Sequence, residues 1–224
     1  MSRRSTLVVL LLFLAACGQE QRDPALTSEL TSPTDVALHW RPEAGAAGQV
    51  VEYANAADGD YVVLEFVPPG RNSYRHPDLI PETQFYYRVR PFTGPASATV
   101  DVTLPPGDEV PESDGHTWAE PVKNGGGTRP VSSPEAAPGN LKAEVKHANG
   151  ILFTWEDHAS DEEGYLIELK PAGAADYRVA AQLDPDVTSF GLITLPDEKT
   201  ATFRVRPFRF GAPSNLTHQT TGKA

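Results

Sequence analysis

One cysteine, Cys17, stands directly after Leu14-Ala15-Ala16. A lone thiol builds neither an internal disulfide nor a multi-thiolate metal site. The six histidines are His39, His76, His116, His147, His158 and His218. No two fall at the i, i+2 or i, i+4 spacing that would hold zinc from one element. No G-x-S-x-G, H-E-x-x-H or phosphate-binding glycine loop occurs. The densest carboxylate run is Asp157, Asp161, Glu162 and Glu163. Several oxygens of that kind suit a hard cation such as calcium, while the simpler reading is a solvated acidic loop. No metal, cofactor or catalytic residue is assigned, so a non-enzymatic chain is expected. A hydrolase built on an unrecognised carboxylate pair is the disfavoured alternative.

The most suggestive surface chemistry is arginine beside aromatic rings. Tyr87-Arg88-Val89-Arg90-Pro91-Phe92 returns 116 positions later as Phe203-Arg204-Val205-Arg206-Pro207-Phe208. If Tyr87, Val89 and Pro91 face a core, strand alternation turns Arg88, Arg90 and Phe92 outward, and Arg204, Arg206 and Phe208 likewise. Such a face has the composition of a binding surface for acidic partners or sugars. The competing structural reading pairs Arg88 with Glu52 and Arg204 with Glu168 across neighbouring strands, at about 0.2–1 kcal/mol each. Trp118 is a further candidate: His116-Thr117-Trp118 is an aromatic island in a polar stretch, placed to dock on a domain or to recognise a partner. Phe210 and Gly211 are expected in a hairpin loop after the second motif.

The elements that must hold these residues read as short strands. Val36, Leu38 and Trp40 alternate with Ala37 and His39, and Ile151, Phe153 and Trp155 repeat the pattern. Phe85, Tyr87 and Val89, and Tyr165, Ile167 and Leu169, keep the same period of two. Turn signals such as Ala57-Asp58-Gly59-Asp60 and Asp184-Pro185-Asp186 separate them. The offset of 116 also relates Glu52 to Glu168, Tyr61 to Tyr177, Ser73 to Ser189 and Leu79 to Leu195, which marks a duplicated domain. About seven short strands in ~85 residues suit an antiparallel sandwich. Each copy resembles a fibronectin type III domain. The second copy carries the resemblance in Pro138-x-x-Leu141, Phe153-Thr154-Trp155 and Gly164-Tyr165-Leu166-Ile167-Glu168, the first in Leu38-His39-Trp40 and Leu79-x-Pro81-x-Thr83-x-Phe85-x-Tyr87. The family's corner tyrosine falls on Phe85 and Ala201, so its hydroxyl bond is absent from both copies. The expected fold is all-β: two fibronectin type III-like, immunoglobulin-like antiparallel sandwiches over 24–104 and 136–222. A flexible Pro/Gly-rich linker, 105–135, is expected between them.

Arg3 and Arg4, then the apolar run Leu7 to Leu14 and small residues, form an export signal. Eight apolar residues rise only about 12 Å as a helix, too little to span a bilayer. Leu14-Ala15-Ala16-Cys17 resembles the lipobox of bacterial lipoproteins. The resemblance implies cleavage of a signal peptide over 1–16 and a diacylglyceryl lipid on Cys17, followed by a lipidated tether over 17–23. Gly18, not Asp, then directs such a lipoprotein to the outer membrane, facing the periplasm or the outside. The chain of 224 residues carries a formal net charge of −11, so an acidic body is repelled by anionic headgroups and nucleic acid alike. Lipid on Cys17 is the expected membrane contact. The expected function is an envelope protein whose tandem domains are interaction or spacer modules, its partner another envelope protein or a surface polysaccharide. A carbohydrate- or cell-wall-binding accessory is the alternative.

Overall fold

The computed structural model describes residues 25–107 and 117–223. The lipobox Leu14, Ala15 and Ala16, the lipidation site Cys17 and the 17–23 tether lie outside the described residues. The first half of the chain forms β1 (Leu26–Ser32), β2 (Asp35–Trp40), β3 (Gly48–Ala54), β4 (Val62–Val67), β5 (Ser73–His76), β6 (Gln84–Thr93) and β7 (Val100–Thr103). The second half forms β8 (Val122–Lys123), β9 (Gly139–His147), β10 (Gly150–Glu156), β11 (Gly164–Pro171), β12 (Arg178–Leu183), β13 (Val187–Ile193), β14 (Thr200–Phe210) and β15 (Thr217–Thr220). Alternation drives them as expected: in β2, Val36, Leu38 and Trp40 are buried, and in β10 Ile151, Phe153 and Trp155 are.

In each half, three strands form one sheet, β1-β2-β5 in the first and β9-β10-β13 in the second, the latter extended by β8. They face β4-β3-β6 and β12-β11-β14 respectively, all paired antiparallel. Two fibronectin type III-like sandwiches result. The first core gathers Leu26, Leu38, Trp40, Val51 and Tyr87. The second gathers Phe153, Trp155, Tyr165, Ile167 and Phe203. Phe85 and Ala201, at the two corners, are buried in these cores.

The seventh strand of each sandwich comes from the other half. β7 follows β6 in sequence but pairs with β14, Val102 opposite Ala201 and Val100 opposite Phe203. Its Val102, with Leu104 beyond it, enters the second core. β15 follows β14 but pairs with β6, Thr217 opposite Tyr87 and Thr220 opposite Gln84. The spans 24–104 and 136–222 therefore each lend a strand to the other instead of closing alone. Matching hydrogen bonds fix the two crossings. Ser97 N–H donates to the Val205 carbonyl at 2.8 Å and its Oγ accepts from Val205 N–H at 3.0 Å. Ser214 does the same to Val89, at 2.8 and 3.0 Å. Phe210 and Gly211 accordingly begin a crossover, not a hairpin. Where the chains cross, β14 pairs with β6 through Arg209–Thr93 and Phe210–Phe92. Gly94 permits the close approach: its φ is 145°, and a Cβ there would lie 1.9 Å from the Pro207 carbonyl oxygen.

The described part of the 105–135 linker is docked on the second sandwich, contrary to the expectation of a loose tether. Trp118 lies over Gly150 and Gly191, where added Cβ atoms would come within 2.8 and 2.6 Å of its ring. β8 pairs with β13, and Gly125 N–H donates to the Asp186 carbonyl at 2.8 Å. Val131 is buried with Ala136 and Ala159. The glycines that suggest flexibility serve instead as contact points: a Cβ on Gly127 would meet the His158 carbonyl carbon at 2.0 Å.

Candidate functional site

The arginine and aromatic motif lies on one curled sheet running β12-β11-β14-β6-β3-β4, whose outer strands β4 and β12 come into contact. Register sets Glu52 opposite Arg88 and Glu168 opposite Arg204. Arg88 Nε donates to Glu52 at 2.6 Å, and Arg204 Nε to Glu168 at 2.5 Å. Over each guanidinium lies a ring, Tyr61 at 4.0 Å from Arg88 and Tyr177 at 3.7 Å from Arg204. The duplication has thus preserved a three-residue unit of carboxylate, guanidinium and phenol. Burial raises the Tyr61 hydroxyl pKa above its ordinary value, with Arg88 opposing.

The next arginine in each strand breaks the symmetry. Arg206 is 7% exposed. Its Nε and Nη2 donate to Glu168 at 3.1–3.2 Å, and its Nη1 donates to the Gly94 carbonyl across the joint. Arg90 instead lies 4.3 Å above the Phe210 ring, and its buried Nε has no hydrogen-bond acceptor. Between them, Phe92 and Phe208 are almost fully buried with Leu166, and Phe66, Val179 and Phe210 pack around them. Phe66 meets Phe92 edge-on at 5.7 Å, and Phe208 meets Phe210 edge-on at 5.0 Å.

These positions correct the expected open binding surface. Arg88, Arg90, Phe92, Arg204, Arg206 and Phe208 do turn away from the two cores, but Arg90, Phe92, Arg206 and Phe208 are covered across the joint, while Arg88 and Arg204 lie under Tyr61 and Tyr177 of their own repeats. The apolar face of each repeat is the other's partner. What stays open is a cleft of about 190 Å³ at its margin, lined by Phe66, Pro68, Phe92, Glu168, Tyr177 and Arg204. Trp118 lies apart, on the second sandwich beside His147.

The acidic loop divides. Asp161 accepts from Val131 N–H at 2.6 Å and from Arg209 at 2.8 Å, and these bonds hold its carboxyl below the usual range. Glu163 accepts from Phe210 N–H at 3.1 Å. Asp157 and Glu162 turn to Asp186, which the sequence pattern does not single out; oxygens of the three lie within 4.8 Å of one another. Burial raises the Glu162 pKa, and the charges of Asp157 and Asp186 add to the shift. The Tyr165 hydroxyl, donating to Asp157, is raised strongly by burial.

No family model matches the chain, and no curated protein does. Among solved structures, it is similar to the FN1–FN3 segment of chicken CNTN1, at 20% identity and a TM-score of 0.28, over 89% of this chain and 66% of that one. A two-domain fibronectin type III segment of chicken tenascin is similar at 14% identity and a TM-score of 0.28, over 87% of this chain and 97% of that one. The strand order described above defines the class by itself: a tandem of fibronectin type III-like β-sandwiches.

Proposed function

We propose that this chain is a non-enzymatic structural module of a bacterial cell envelope. Lipid on Cys17 anchors it in the outer membrane, and it presents two sandwiches as one stiff spacer and docking platform for an envelope protein. The observation that supports this reading best is the reciprocal exchange of β7 and β15, sealed by Phe92, Phe208 and Arg206. Two domains joined this way keep a fixed span, which a spacer needs and a swinging tether lacks. The polar side chains of the central face are turned to internal pairing, Arg88 with Glu52 and both Arg204 and Arg206 with Glu168. They hold the platform together and leave recognition to its rim and outer strands.

The test follows the full-length chain in its host. Wild type should fractionate with membranes and carry lipid on the Cys17 peptide by mass spectrometry, whereas C17S should be released. Cross-linking on intact cells should then join the wild type to a discrete envelope protein. Soluble wild type would refute the anchor. Retention by purified envelope polysaccharide without any protein cross-link would favour the carbohydrate-binding alternative.

A further inference from the structure

Asp157, Glu162 and Asp186 come from three places: the end of the Trp155 strand, the loop before β11, and the turn before β13. The linker closes over them. Gly125 N–H bonds the Asp186 carbonyl, and Gly126 N–H donates to Asp157 Oδ2 at 3.0 Å. A Cβ on Gly125 would lie 2.3 Å from that same Asp157 oxygen, so only glycine lets the backbone sit so close. No described Lys, Arg or His pairs with any of the three carboxylates. Of the nearby cations, Lys123 pairs with Asp184 and Arg209 with Asp161, and Arg129, which lines a pocket with Asp157, forms no ion pair with it.

Glu162 is the telling member. It is only 9% exposed. One oxygen accepts from Asp186 N–H at 3.2 Å, while the other, Oε2, is buried without any hydrogen-bond donor. A buried carboxylate oxygen beside two further carboxylates lacks a positive partner, and leaving it so is costly.

We propose that Asp157, Glu162 and Asp186 bind calcium, clamping the linker onto the second sandwich. The donors are all hard oxygens. Oxygens sharing one calcium at 2.3–2.6 Å can lie up to about 5 Å apart, which the 4.8 Å grouping satisfies. Asp186 is exposed, so water can enter from its side to complete a shell of six to eight ligands. A site with three protein carboxylates belongs with the weaker calcium modules, at a Kd of about 10⁻⁴–10⁻³ M.

The test uses the purified full-length chain in detergent, with thermal melting at constant ionic strength. Calcium at about ten times its Kd should raise the Tm by about 3–6 °C. Glu162→Gln keeps the shape and removes the charge. It should melt higher than wild type without calcium and show no calcium shift. D58N/D60N, which neutralises an exposed acidic turn of the first repeat, should keep the full shift. Terbium offers a second readout: the Tyr165 ring, bonded to Asp157, should sensitise its emission in wild type, calcium should displace it, and E162Q should abolish it. The proposal is overturned if calcium leaves wild type unmoved, or if E162Q retains the shift. Equal shifts from magnesium or sodium would reduce the effect to screening and overturn it as well.

Discussion

The duplication supplies a matched pair of mutations that isolates what the joint contributes. Glu52 and Glu168 are equivalent by sequence, nearly equally buried at 5% and 4% exposure, and each accepts from an arginine Nε. They differ in what else depends on them. Arg88, the partner of Glu52, has a side chain 25% exposed, so in E52Q it can take up water and keep its place beneath Tyr61. The loss should be that of one charge-assisted hydrogen bond, about 1.5–3 kcal/mol. Glu168 also neutralises Arg206, whose side chain is only 8% exposed. In E168Q that guanidinium stays buried with the Gly94 carbonyl and a neutral amide, the situation for which broken buried pairs cost about 3–5 kcal/mol. E168Q should therefore exceed E52Q by about 2 kcal/mol, or ~4–8 °C in Tm for a chain of this size. Urea denaturation of both variants beside wild type measures it, with slopes compared to confirm that the same surface unfolds. Equal losses, or a larger one for E52Q, would refute the claim that Arg206 depends on Glu168 for its charge balance.

The crossing strand β15 should be indispensable to a sandwich far from it in sequence. Asn215 donates to the Leu26 carbonyl and accepts from Leu26 N–H, both at 2.9 Å; N215A should cost about 1–3 kcal/mol in urea titrations, and termination after Gly211 should abolish the circular-dichroism signal of the first sandwich. His76 is half-buried and bonded to the Tyr87 hydroxyl at 3.2 Å, and burial lowers its pKa from 6.5. The unfolded chain then binds the proton first, so this contribution is intact above pH 6.5 and is lost as pH falls from there through the lower folded value. H76Q should flatten that limb in melts between about pH 7 and 5, set by the ordinary histidine value. Gly191→Ala would drive a Cβ to 2.3 Å from Ala119 Cα, so it should undock the linker and expose residues 117–127 to limited proteolysis while the sandwich cores stay protected.

The strands and both cores were legible because period-two burial leaves its mark on every segment: Val36, Leu38 and Trp40 can face inward in only one way. The Glu–Arg pairs were legible from the conserved offset between repeats. Strand exchange was not, since β7 and β15 are four residues long and alternation fixes which side chains face inward without naming the neighbour. One signal was present. Phe92 and Phe208 carry apolar area on strand positions assigned to solvent, with Phe210 close behind, and so much apolar area there asks for a cover. The linker misled because glycine serves both mobility and close contact, and only neighbours such as His158 and Asp186 distinguish the two. Asp186 was invisible as a partner of Asp157 because the turn that carries it lies two strands further along the chain.

Reciprocal exchange also dictates an order of events during synthesis. As the chain emerges from its N-terminus, six strands of the first sandwich are complete long before residues 217–220 exist. Until then β6 presents an open edge, the kind of edge that invites pairing with other chains. β7 must likewise wait for β14, made about a hundred residues later. Neither half can finish early and protect itself, so the first sandwich keeps this open edge until residues 217–220 pair with β6. Contacts of such long sequence separation fold slowly, so this edge stays exposed for longer than in a sandwich closed by strands adjacent in sequence.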